Sequence, residues 1–183
     1  MNISARIHAR KILLVYFYEQ YFLEQAWKNK QSLMSNIDKI QKIVANPSVD
    51  EEELDLDLSS ILQWGYYDDF DKEISYILEF HFDRLTPEKV DFEYIKAIGP
   101  LFHEYEPQVK ILVDKYATTF GYDHMDLMDR VLFVLWYMEF TVLWSDKWVV
   151  LNEMVELAKR YGDESSPKLL NAIWHKMLTK KKD

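Results

Sequence analysis

Apolar residues recur at helical spacing along almost the whole chain, and the interruptions are few and chemically specific. Over about Ser4 to Trp27 neither proline nor glycine occurs and apolar side chains cover a broad face, which predicts a first helix. Lys28 to Gln31 break that pattern. Leu33, Ile37, Ile40 and Val44 then return at the spacing of a second amphipathic helix over 32–46, stopped by Asn46, Pro47 and Ser48. Beyond an acidic stretch, Leu58, Ile61 and Leu62 lead to a turn at Gly65, and Phe70, Ile74, Ile77, Leu78 and Phe82 mark another helix. Thr86 before Pro87 has the form of an N-cap followed by a first-turn proline and predicts a helix from there to about His103. A further helix from Pro107 to Phe120 is expected to end at Gly121, and another to span about Met125 to Leu143.

The fullest boundary chemistry lies near the carboxy terminus. Val150, Met154, Leu157, Ala158 and Tyr161 form an apolar stripe, opposed by Asn152, Glu153, Glu156, Lys159 and Arg160. Gly162 follows the last periodic residue, where a left-handed cap costs least, and Ser166 before Pro167 reads as an N-cap restarting a second helix. Only four glycines and five prolines punctuate 183 residues, so a many-turned β fold is disfavoured and the expected class is an all-α helical bundle.

Composition narrows the chemistry. The absence of cysteine excludes disulfides, thiolate catalysis and cysteine-ligated zinc or iron–sulfur centres. The longest apolar stretch, Val131 to Trp144, is interrupted by Glu139 and falls short of the roughly 20 residues of a membrane span. No small-residue cleavage site follows the apolar run after the amino terminus, so neither a membrane segment nor a secretory signal is expected, and the chain reads as cytoplasmic. A formal charge of -9 argues against a general nucleic-acid coat. The charge is uneven, however: Arg6, Arg10 and Lys11 cluster early, Asp50 to Asp57 form an acidic block, and Lys180 to Lys182 end the chain, so any RNA site must be local. Enzymatic patterns fail. His103 and Glu104 lack a second histidine at helical spacing, and Asp123, His124 and Asp126 crowd one turn where all three rarely face inward. With no phosphate loop, dinucleotide fingerprint or nucleophile elbow, a non-enzymatic protein without cofactor or metal is expected.

Asn152 and Glu153, Ala158 and Lys159, Tyr161 and Gly162, and Ser166, Pro167 and Lys168 followed by Asn171 occur together in order. This string resembles the carboxy-terminal signature of the NusB family of bacterial transcription antitermination factors. Ala5, Arg6, Ile7, His8, Ala9 and Arg10 stand where that family carries a basic amino-terminal motif. The likeness covers about Ser4 to Trp27 and Lys89 to Leu178. It implies a single NusB-like domain of two helical bundles packed at right angles. The expected parts are a first helix with a basic start (1–27), extra helices inserted after it (28–88), a C-terminal bundle (89–178) and a frayed basic tail (179–183).

The same resemblance implies binding of boxA-like single-stranded RNA together with NusE, a small-subunit ribosomal protein, in an RNA polymerase antitermination complex that supports ribosomal RNA transcription. The RNA-binding residues it implies are Arg6, His8 and Arg10 in the basic motif and Tyr161, Lys168 and Asn171 at the helix junction. The implied protein-partner contacts are Tyr18, Phe133 and Tyr137, and a homodimer is a further candidate assembly. Read without the family, two arginines one turn apart are ordinary solvated charge, and an apolar helix with Phe133, Trp136 and Tyr137 is interior. The chain also departs from the family: Ile7 and His8 replace further basic residues, Leu169 a usual phenylalanine and Ala172 a usual glycine. These departures and the net acidity motivate an alternative, a NusB-derived protein–protein interaction module that has lost RNA binding.

Overall fold

The computed structural model describes residues 3–44, 69–82, 84–117 and 121–179. Among these the regular elements are all helical: α1 (Ile3–Val44), α2 (Phe70–His81), α3 (Phe92–Ile98), α4 (Phe102–Tyr116), α5 (Leu127–Val142), α6 (Lys147–Tyr161) and α7 (Ser166–Thr179). Short 3-10 turns lie at Pro87–Lys89, Gly99–Leu101 and Tyr122–His124.

Aspartates set most of the helix starts. Asp69, Asp91, Asp126 and Asp146 each accept a backbone N–H from the first turn that follows, which satisfies donors that have no partner inside the helix. Thr86 makes no such bond: Pro87–Lys89 is a lone turn, Val90 is extended, and the helix proper begins at Phe92. Pro107 does not open a helix either. It sits inside α4, whose start at Phe102 is fixed by packing, with that ring stacked on Phe17 at 4.8 Å and edge-on to Tyr21 at 5.1 Å. A proline in the second turn removes one hydrogen bond, and burial of Phe102 offsets that loss. Lys28 to Gln31 do not end α1, since none of the four is a helix breaker and the backbone ladder runs through them. The expected stop at Asn46 to Ser48, the acidic block and the Gly65 turn lie outside the described residues.

The centre of the fold is α5, where Val131, Leu132, Phe133, Val134, Leu135 and Met138 have no exposed surface. Helices apolar all round must be covered all round, and α1, α3, α4, α6 and α7 pack against it. Arg10 of α1 meets Glu139 late in α5, whereas Tyr21 meets Tyr122 just before α5 begins, so the two helices run antiparallel. One apolar cluster extends from Ala9 in α1 to Met177 in α7. No helix among the described residues is long and apolar enough to cross a membrane.

Candidate nucleic-acid interface

The basic motif occupies the first turns of α1, and its side chains turn inward more than the sequence suggests. Arg10 is 6% exposed. Its Nη2 and Nε donate to the two oxygens of Glu139 at 2.6 and 2.9 Å, and its Nη1 donates to Glu153 of α6 at 3.0 Å. The Tyr94 hydroxyl donates to Glu139 Oε2 at 2.9 Å. Burial alone works against the charged guanidinium, but the hydrogen bonds and charge of Glu139, with Tyr94 and Glu153, outweigh it and hold the group above its ordinary basicity. The structure thus places Arg10, which the resemblance implies as an RNA contact, in the interior: Glu139 interrupts the apolar α5 at the same level, and Arg10 neutralises it.

Arg6 is half-buried, donating to Asp91 at 2.9 Å with its guanidinium 4.3 Å above the Tyr94 ring. His8 donates through Nδ1 to the Lys89 carbonyl at 3.0 Å. Together the motif ties α1 to the segment preceding α3.

The junction of α6 and α7 is built differently from a glycine-capped stop. Gly162 is extended (φ -92, ψ -179) rather than left-handed. Glycine is needed for space, because a Cβ there would fall 2.7 Å from both Cβ and Oγ of Ser166. Ser166, fully buried, is the first residue of α7 and not its cap. Its hydroxyl accepts the Asp163 N–H at 2.9 Å. The nearby Asp129 carboxyl is buried, and that burial raises it from its ordinary value. The capping carbonyl belongs to Ser165, which accepts from Lys168 and Leu169 at 3.1 and 3.0 Å. This tight stop leaves Tyr161 40% exposed and presents Lys168 and Asn171 to solvent, while Leu169 packs against the core.

Beside this junction lies a cleft of about 530 Å³ lined by Lys11, Tyr18 and Phe22 of α1, Phe82 after α2, Met128 of α5 and Tyr161 of α6, among others. Tyr18, expected to meet a protein, and Tyr161, expected to meet RNA, thus share one site. Phe22, one turn after Tyr18 and 58% exposed, is a lining residue that was not singled out from sequence; its helical spacing from Tyr18 was legible there, whereas its exposure belongs to the tertiary structure.

Phe133, which the resemblance implies as a partner contact, has no exposed surface and packs edge-on to Trp174 at 5.1 Å. Tyr137 remains half-buried beside Tyr105. Among the described residues no group of histidine and carboxylate side chains is arranged to hold a metal ion.

The chain matches the NusB family over residues 58–179. That span begins within the expected insertion, leaving 28–57 as the part of it outside the match, and it does not include the basic motif of α1. The transcription antitermination protein NusB of Syntrophomonas wolfei is 30% identical over 100 residues, 54% of this chain and 73% of the relative. That of Clostridium tetani is 30% identical over 98 residues, 52% and 63% of the two chains. That of Sulfurovum sp. is 33% identical over 61 residues, 33% of this chain and 47% of the relative, so the chain spans only about half of that protein's length. No solved structure matches. An all-helical fold centred on one buried helix, the tight junction after Tyr161, and a family match covering well over half of 183 residues lead to one conclusion: the chain belongs to the NusB family.

Proposed function

We propose that the protein is a cytoplasmic transcription antitermination factor that binds boxA-like single-stranded RNA together with NusE, within an RNA polymerase complex supporting ribosomal RNA transcription. The observation that carries this reading is the exposed set Tyr161, Lys168 and Asn171 at the junction, adjoining a cleft that also holds Lys11 and Tyr18. Single-stranded RNA is recognised by stacking splayed bases on aromatic rings, by cations at phosphates and by amides at base edges, and these side chains supply one of each. Tyr18 and Phe22 leave an apolar surface beside them for a protein partner. No bond making or breaking is required of the protein: its role is to hold RNA and partner in one geometry.

The second reading, an interaction module without RNA binding, is favoured by the inward basic motif, in which Arg10 pairs with Glu139 and Glu153 and Arg6 with Asp91. Titration of labelled boxA-like RNA at low salt, with the protein alone and with cognate NusE, separates the two. Under the first reading a complex forms, NusE tightens it, and Tyr161→Ala weakens it by about 1–3 kcal/mol, the worth of one stacked base. NusE binding with no RNA complex under either condition establishes the second reading and sinks the first.

A further inference from the structure

The cations beside Tyr161 differ from those of the basic motif in what answers them. Arg10 is held by Glu139 and Glu153, and Arg6 by Asp91, at 2.6, 3.0 and 2.9 Å, so either must break an ion pair before it can meet a phosphate. His8 is engaged with the Lys89 carbonyl. Lys159, exposed on α6, bridges to Glu156 on the same helix. Lys11, Arg160 and Lys168 are different: among the described residues no carboxylate pairs with any of them. Arg160 and Lys168 are exposed on either side of the stop after Tyr161, and Lys11 lines the cleft that Tyr161 also lines.

Helix geometry explains why Lys11 stands apart from the arginine next to it. Successive residues point about 100° apart, so Arg10 reaches α5 and α6 while Lys11 turns to the cleft. Lys11, Val15, Tyr18 and Phe22 then follow at i, i+4, i+7 and i+11, one stripe along the same wall. The stripe has a cation at one end and rings at the other, with Lys11 about 10 Å along the helix from Tyr18. Carboxylates are also near. Glu19 in the cleft lies 3.5 Å from His81, and Asp163 and Glu164 are exposed in the stop.

We propose that Lys11 and Arg160, with Lys168, are the phosphate contacts of the RNA site, and that the arginines of the amino-terminal motif hold the fold instead. This assignment rests on the RNA-binding reading above and says where the backbone of that RNA lies: along the cleft from Lys11, past Tyr161, to the α6–α7 junction. An unpaired cation gives up only water and counterions when it meets a phosphate, whereas Arg6 and Arg10 would give up a carboxylate as well. Asp163 and Glu164 repel phosphates from the stop itself, so the backbone is taken at its two flanks, by Arg160 on one and Lys168 on the other. Contacts of this kind position a strand and carry no base preference.

The test is the salt dependence of binding of labelled boxA-like RNA to the full-length protein with saturating cognate NusE, plotted as log affinity against log salt. Lys11→Gln and Arg160→Gln should each weaken binding and lower the slope by about 0.7, one single-strand phosphate contact, and the double variant by about 1.4. Lys159→Gln removes a neighbouring charge that is already paired and should leave the slope unchanged. Equal urea midpoints for wild type and variants exclude a folding cause. A fall in Lys159→Gln matching that in Arg160→Gln reduces the effect to overall charge and overturns the assignment. So does a slope lowered by Arg6→Gln but by neither Lys11→Gln nor Arg160→Gln, which returns the phosphates to the motif. Absence of any wild-type complex sinks the RNA-binding reading itself, whereas wild-type binding with unaltered slopes in both variants sinks this assignment alone.

Discussion

The Arg10 guanidinium meets the Glu139 and Glu153 carboxylates, and its Nε, Nη1 and Nη2 each donate to one of them. In sequence Arg10 is a twin of Arg6, one turn earlier on the same helix. What separates them is the carboxylate each meets: Asp91 at the half-exposed margin for Arg6, Glu139 in the interior for Arg10. Nothing local to α1 encodes that difference, because Glu139 lies far along the chain. Arg10→Ala leaves the Glu139 carboxylate buried without its counter-charge and is expected to destabilise the fold by about 3–5 kcal/mol in urea unfolding. Removing both partners with apolar residues of similar volume should recover much of that loss. An Arg10→Ala protein of wild-type stability with impaired RNA binding would return the side chain to the surface.

At the scale of elements, the residue types that end helices were readable, but their competition was not. Thr86 is the cap that the sequence pattern predicts, and Asp91 the one that the structure uses. Asp91 prevails because one oxygen accepts the Tyr94 N–H while the other takes Arg6, so a tertiary contact fixes the rotamer that capping needs. Gly162 was expected for its backbone freedom and is required instead for the close approach of Ser166. The left-handed residue occurs elsewhere, at Trp144, where α5 ends: it has φ 53 and is 88% exposed. A side chain in that conformation costs about 1 kcal/mol relative to glycine, and an indole so exposed returns little packing. Trp144→Gly is therefore expected to raise stability by about 1 kcal/mol, read as a higher Tm. A lower Tm would mean that the indole makes contacts that its exposure conceals.

For the molecule as a whole, a single apolar cluster joins the first helix to the last, and α5 passes through its middle. Phe133 sits there, against Trp174. Its replacement by alanine should cost about 3–5 kcal/mol and shift the unfolding of α1 and α7 together, checked by coincident transitions from probes at each end. A partner contact at Phe133 would instead leave stability unchanged. The sequence by itself determined the helical class, the apolar central helix and the residue types at the junction after Tyr161. Those follow from local propensity and from the periodic placement of apolar groups, which act over a turn or two. The capping site of α3, the inward turn of Arg10, the steric need for Gly162 and the meeting of Tyr18 with Tyr161 in one cleft were decided only by tertiary structure. Each depends on a contact between residues distant in the chain, and the strength of a charge or a cap is set by the burial and the partner that such a contact supplies.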